Sequence, residues 1–213
     1  MMKENKRTLI VTSVVILLPA LIGVFLWKQL PDVMATHFGW KNEADGFSSK
    51  AFAVIGLPLF LLAIHWLAAV VTAHDPKKQN ISPKMFTLVL WLVPIISLFA
   101  GSMMYSYNLG YPVDVSFVGE LIVSVILIVV GNYLPKARQN YTIGIKIPWT
   151  LANEENWNRT HRLAGFLWTA CGLMMAVLIL CGAVTPIWMT AASALIVIVP
   201  CVYSYWLHVS RGL

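Results

Sequence analysis

The sequence predicts an all-α membrane protein, a bundle of six transmembrane helices. Three observations carry that reading. Of 213 residues, 59% are hydrophobic and only 11% charged, with a mean hydropathy of +0.75. A water-soluble domain of this composition would expose far too much apolar surface. The apolar residues also come in blocks of about 20, the length of helix that crosses a hydrocarbon core about 30 Å thick. Finally, nearly all the charges lie between the blocks.

The blocks run over residues 8–27, 51–73, 85–107, 117–134, 162–184 and 187–208. Each is apolar all round, whereas a membrane β-strand alternates lipid-facing and lumen-facing residues. Together they make a single six-span membrane domain, 1–213. The first block follows Lys3, Lys6 and Arg7 as a signal peptide would. Its apolar run is longer than the usual core of such a peptide, and Gln29-Leu30-Pro31-Asp32 offers no small-residue cleavage site, so it reads as an uncleaved helix.

Basic residues set the expected orientation, because cytoplasmic loops collect Lys and Arg. With the N-terminus inside, the inner segments hold Lys3, Lys6, Arg7, Lys77, Lys78, Lys84, Lys136, Arg138, Lys146, Arg159, Arg162 and Arg211, twelve of the fifteen basic residues. Only Lys28, Lys41 and Lys50 fall outside. Both termini are therefore expected in the cytoplasm. The same asymmetry accounts for the net charge of +6 through topology and contact with anionic lipid, so direct nucleic-acid binding is not expected.

Two connections are long. The outer loop 30–50 mixes the aromatics Phe38, Trp40 and Phe47 with Asp32, Glu43 and Asp45, and its Asp45-Gly46 pair is a turn signal. The inner loop 135–161 carries Tyr141, Trp149 and Trp157 among basic residues. Within it Pro148 ends what precedes, and Thr150 or Asn153 is placed to cap a new helix with Glu154 and Glu155 in its first turn. Glu155 and Arg159 follow at i,i+4, and Trp157, His161 and Trp168 share a face. This pattern predicts an interfacial helix that runs, or bends sharply, into the fifth span. The connections 74–84 and 108–116 and the Thr185-Pro186 turn carry little information.

Ionisable groups at membrane depth point to function by default. Here they are His65, mid-span in the second block, and Glu120, near the outer end of the fourth. A neutral histidine bonded to a neighbouring helix and a carboxylate near the interface are the plainer readings. Pro19, Pro58, Pro94 and Pro200 interrupt four spans, and each frees a backbone carbonyl. Tyr105, Tyr107, Asn108 and Asn132 cluster near helix ends, where they are expected to anchor the interface.

No catalytic motif is found: Gly-x-Ser-x-Gly, His-Glu-x-x-His and glycine-rich phosphate loops are all missing. His37, Glu43 and Asp45 match no metal template. Cys171, Cys181 and Cys201 all fall in the last two spans and suggest neither a disulfide framework nor zinc. The chain is thus expected to be no enzyme and to need no cofactor or metal. A small transporter or membrane-embedded binding protein, with kinked helices around His65 and Glu120, is the alternative class.

Two stretches resemble known patterns. Leu30-Pro31, His37-Phe38 and Gly46-Phe47-Ser48-Ser49-Lys50, just after a first membrane helix, look like the DUF1648 region of bacterial membrane proteins. Gly131-Asn132-Tyr133-Leu134-Pro135-Lys136, then Asn140-Tyr141-Thr142-Ile143-Gly144-Ile145-Lys146-Ile147-Pro148-Trp149-Thr150-Leu151, Trp157, Thr160-His161-Arg162 and Gly165 are similar to the signature of the SdpI family of immunity proteins.

The resemblance implies a multi-pass protein of the bacterial inner membrane. It also implies protection against a secreted membrane-active toxin peptide, and tethering of a cytoplasmic winged-helix repressor. Carried over by position, the inner partner-binding set is Asn132, Asn140, Gly144, Lys146, Pro148, Trp149, Trp157, His161 and Arg162. The outer contact set is Pro31, His37, Phe38, Asp45 and Gly46. The chain departs from the pattern at Lys146, where the family has an arginine; lysine lacks the bidentate fork.

Overall fold

The computed structural model describes all residues, Met1–Leu213. Six helices are long and apolar enough to cross a membrane. They are α1 (Lys6–Phe25), α2 (Leu57–Ala73, entered through a π-helical turn, Phe52–Gly56), α3 (Pro83–Asn108), α4 (Val115–Tyr133), α6 (Glu154–Leu180) and α7 (Pro186–Arg211). A two-stranded antiparallel hairpin, β1 (Val33–Phe38) and β2 (Ala44–Ser49), joins α1 to α2, and a short helix α5 (Pro148–Ala152) precedes α6. Large apolar side chains such as Leu21, Phe25, Leu67 and Phe166 stand exposed on the helices. That surface suits lipid and is unstable in water.

Two compact units emerge from the packing: Met1–Ala73 with Phe86–Gly119, and His74–Met85 with Glu120–Leu213. In the first, α1 buries one stripe, Leu9, Thr12, Ile16, Pro19 and Gly23, at alternating spacings of three and four. Polar groups join its helices at several depths. His65 Nε2 lies 3.0 Å from Thr12 Oγ1, Ser97 donates to the Ile16 carbonyl, and the Tyr105 hydroxyl donates to the Pro19 carbonyl at 2.8 Å. In lipid such bonds, with close backbone approach, hold helices together where apolar burial alone does not.

The second unit depends on small residues. A methyl group added at Gly131 would strike Thr169 and Trp168, one at Gly165 would strike Pro135, and one at Gly172 would strike Ile128 and the Ser124 carbonyl. α4 and α6 therefore meet backbone to backbone. On α7, Pro200 cannot donate to the Ile196 carbonyl; the Trp168 indole of α6 donates to it instead, at 3.1 Å. A proline that loosens one helix thus ties it to the next.

Three sequence expectations change. Asp45-Gly46 is no turn, for both residues lie in β2. The chain reverses one step earlier, where the Gly39 N–H donates to the Glu43 carbonyl and Asn42 takes φ 60°. The helix expected to begin at 162 starts at Glu154 and runs unbroken into the fifth span, so the interfacial helix and the span are one element. That helix stops at Leu180 instead of reaching 184, because Gly182 adopts φ 64° and its N–H returns to Ile179.

Candidate functional site

The chain's densest polar construction is the loop 135–147 with α5 and the start of α6. Asn153 caps α6, its side chain accepting from the Asn156 N–H at 3.0 Å. Glu155 and Arg159 pair at 2.7 Å on the exposed side. One turn in, Trp157 and His161 are fully buried and stack with ring centroids 4.0 Å apart.

Both reach into the loop. The Trp157 indole donates to the Ala137 carbonyl at 2.7 Å. His161 Nε2 accepts the Ile145 N–H at 2.9 Å, and Nδ1 lies 2.8 Å from the Trp157 carbonyl. Since Nε2 accepts, Nδ1 carries the proton, and both ring nitrogens of a neutral imidazole are used. Gly144 passes directly over this pair at φ 118°, where any side chain would strike both rings.

Asn140 is buried and organises the tip. Its Oδ1 accepts from the Thr142 and Ile143 N–H groups, and its Nδ2 donates to the Arg138 and Ile143 carbonyls. Thr150 does the same for α5, accepting from the Ile147 N–H and donating to the Ile145 carbonyl at 2.7 Å. Trp149 lies against Tyr205 of α7, centroids 5.0 Å apart. Asn156, wholly buried, bonds Ser204 through both its amide nitrogen and its oxygen.

The connection 74–84, which looked uninformative, clasps this loop. Asp75 is 3% exposed; one carboxylate oxygen accepts the Lys77 N–H at 2.7 Å and the other the Tyr141 N–H at 2.8 Å. Lys77 donates to the Gln139 side chain, whose amide in turn donates to the Thr150 and Leu151 carbonyls. Asn80 donates to the Gln139 carbonyl. A lone acid in a basic segment was the available signal for Asp75. Nothing in the sequence singles out Gln139, Asn156 or Ser204.

The predicted inner set therefore divides by position. Asn140, Trp157 and His161 are interior struts, Gly144 is the gap that admits them, and Trp149 is partly covered by α7. Lys146, Pro148, Arg162, Asn132 and the neighbouring Tyr141 stand at the surface.

The hairpin brings the predicted outer residues together. Pro31 precedes β1; His37 and Phe38 lie in β1 opposite Gly46 and Ala44 of β2. His37 Nδ1 is 2.5 Å from an Asp45 oxygen, and both side chains are exposed. Phe38 packs edge-on against Tyr107. Two asparagines fasten the hairpin. Asn108 bonds both the N–H and the carbonyl of Ala35 at 2.9 Å, and Asn42 bonds the Val113 carbonyl and the Val115 N–H. Below it a groove of about 250 Å³ opens between α1 and α3, lined by Pro19, Leu98, Gly101, Ser102 and Tyr105 among others. His65 sits apart from that groove, bonded to Thr12, and Glu120 is half-buried on α4.

Residues 136–204, which contain the inner loop, match the SdpI/YfhL protein family, and residues 14–62, which contain the hairpin, match DUF1648, a domain of unknown function. The chain is an SdpI-family membrane protein. It is 25% identical over 181 residues to the Immunity protein SdpI of Bacillus subtilis (strain 168), covering 83% of this chain and 82% of that protein. No solved structure matches. Six apolar helices together with this kinship make it a multi-pass bacterial membrane protein. In this SdpI-family chain, Asp75, Lys77 and Asn80 lie outside both matched segments, yet they hold the tip of the family segment's loop.

Proposed function

We propose that this SdpI-family protein is a non-enzymatic immunity and sensor protein, which meets a secreted membrane-active peptide on the outer side and presents its inner loop to a cytoplasmic repressor. The observation that carries the reading is the similarity, over most of both chains, to a protein named for immunity. The geometry agrees with it. In the inner loop the buried polar side chains are spent on holding backbone in place, an arrangement that builds a shaped surface and leaves His161 without a free nitrogen for proton transfer. Basic residues place that loop in the cytoplasm and the hairpin outside.

The test is expression in a bacterium sensitive to such a peptide. Protection is the expected result; unchanged killing, with the protein shown to be in the membrane, overturns the reading. Charge reversal at the exposed Lys146 (Lys146→Glu) should release a fluorescent winged-helix repressor from the membrane without affecting insertion.

The groove at Pro19 favours a second reading, a membrane-embedded binding protein. Solute uptake or efflux by reconstituted vesicles that is lost in Ser102→Phe, a substitution that fills the groove, would support it over immunity.

A further inference from the structure

The hairpin has two edges, and only one of them is closed. In an antiparallel pair a residue sends its N–H and C=O either both toward the partner strand or both away, and the two kinds alternate. The Lys50 N–H donates to the Asp32 carbonyl, so positions 50 and 32 face each other through hydrogen bonds. The next pair, Ser49 with Val33, then points its backbone groups outward, Ser48 with Met34 points inward, and Phe47 with Ala35 points outward.

One of these assignments is verified independently. The Ala35 N–H and C=O do point away from β2, for they are the groups that the Asn108 amide takes up. That amide stands where a third strand would stand, and it closes the β1 edge. On β2 the equivalent groups of Phe47 and Ser49 have no such cover. No residue of β2 is buried, while β1 buries Met34 and Ala35.

Natural edge strands are protected by proline, by lysine or by being covered. β2 has the sequence Ala-Asp-Gly-Phe-Ser-Ser, with neither proline nor lysine. Its exposed side chains alternate: Asp45, then Phe47 at 61% exposure, and past the strand the apolar path continues over Phe52 and Ile55, both exposed. An edge of this kind is complementary to another extended backbone. With so few outward-facing residues it is too short to hold two copies of this chain together by strand pairing alone. It is long enough to align a peptide whose apolar side chains then lie on Phe47, Phe52 and Ile55.

We propose that the free edge of β2, at Phe47 and Ser49, is a strand-addition site that captures an extended apolar peptide through its backbone. The inference rests on the reading that the hairpin meets a peptide from outside, and it adds the mode of recognition. Backbone pairing gives affinity with little demand on peptide sequence, and the alternating Asp45 and Phe47 side chains favour a peptide that alternates basic or polar residues with apolar ones.

The full chain in nanodiscs is titrated with a fluorescent peptide of about ten residues, alternating valine and threonine with a lysine at each end, and with the same peptide N-methylated at every second residue. The plain peptide should bind. The methylated peptide, and the Phe47→Pro variant with the plain peptide, should each bind about tenfold or more weakly. Phe47→Ala keeps the N–H and should lose less than Phe47→Pro. Proline is tolerated at this edge because the N–H it removes is outside the ladder, and slow hydrogen exchange at Ala35 confirms that the variant hairpin is folded.

Equal binding of both peptides, equal losses in the two variants, or no binding at all overturns strand addition. Self-association that Phe47→Pro abolishes, without peptide binding, also overturns it and assigns the edge to a second copy. Killing assays read immunity separately: a chain that protects cells but ignores the strand peptide loses only this proposal. One that binds the peptide through β2 but never protects loses only the immunity reading.

Discussion

Two histidines in two loops show how differently the ends of this chain are built. His37 stands in the open on the hairpin, paired with an equally exposed Asp45. His161 is buried, both ring nitrogens bonded and one face stacked on Trp157. The hairpin is fastened along one side, by Asn108 and Asn42, and keeps a free edge. The inner loop is fastened from within by Trp157 and His161 and from outside by Asp75 and Lys77. A binding surface that recognises extended backbone needs unfilled hydrogen-bond groups; one that presents a fixed shape needs them filled. The hairpin has the first property and the inner loop the second.

The comparison predicts that substitutions inside the clasp are costly and those on the hairpin surface cheap. The largest effect should come from Trp157→Ala, which removes a fully buried indole, its bond to Ala137 and the platform under His161. We expect a loss of about 3–5 kcal/mol, read as a lower unfolding midpoint in detergent and rapid tryptic cleavage at Lys136 and Arg138. A midpoint close to that of the parent chain would mean that the indole is not what holds the loop.

Next comes Asp75→Ala, which strips the Tyr141 and Lys77 N–H groups of a charged acceptor. Two such bonds, partly replaced by water, amount to roughly 2–3 kcal/mol. The loss should appear as faster hydrogen exchange at Tyr141, with exchange at Ile145 less affected because His161 still holds it. Equal acceleration at both amides would show that clasp and struts open as one unit, and would dissolve the distinction between them.

The helices were legible because hydrophobic blocks of bilayer length have one physical meaning. The caps and breaks were legible where one residue decides them, as at Pro148 and Asn153. The hairpin was not, since β2 contains Asp-Gly, a turn signal in isolation, and the turn is instead set by Asn42 through bonds to Val113 and Val115, some seventy residues further on. The inner site was legible in its residue types but not in their roles. A tryptophan and a histidine in a basic loop suggest contact with a partner, and only the fold shows that Trp157 and His161 face inward. Asp75 and Gln139 act through pairing between distant segments, which spacing along the chain does not encode.

On the hairpin, Asn108→Ala should cost about 1–2 kcal/mol locally, because three bonds, two to Ala35 and one to Met104, depend on its amide. Exchange at Ala35 should quicken while Tyr141 is unchanged, and the newly opened β1 edge should gain the capacity for strand pairing that β2 already has. Smallest of all is Asp45→Asn. The pair it breaks is exposed on both sides, and exposed pairs contribute roughly 0–1 kcal/mol, so the unfolding midpoint should barely move. If it fell as far as in Asp75→Ala, the hairpin would owe its shape to its ion pair, and the contrast between a surface held from one side and a loop held from within would fail at the hairpin.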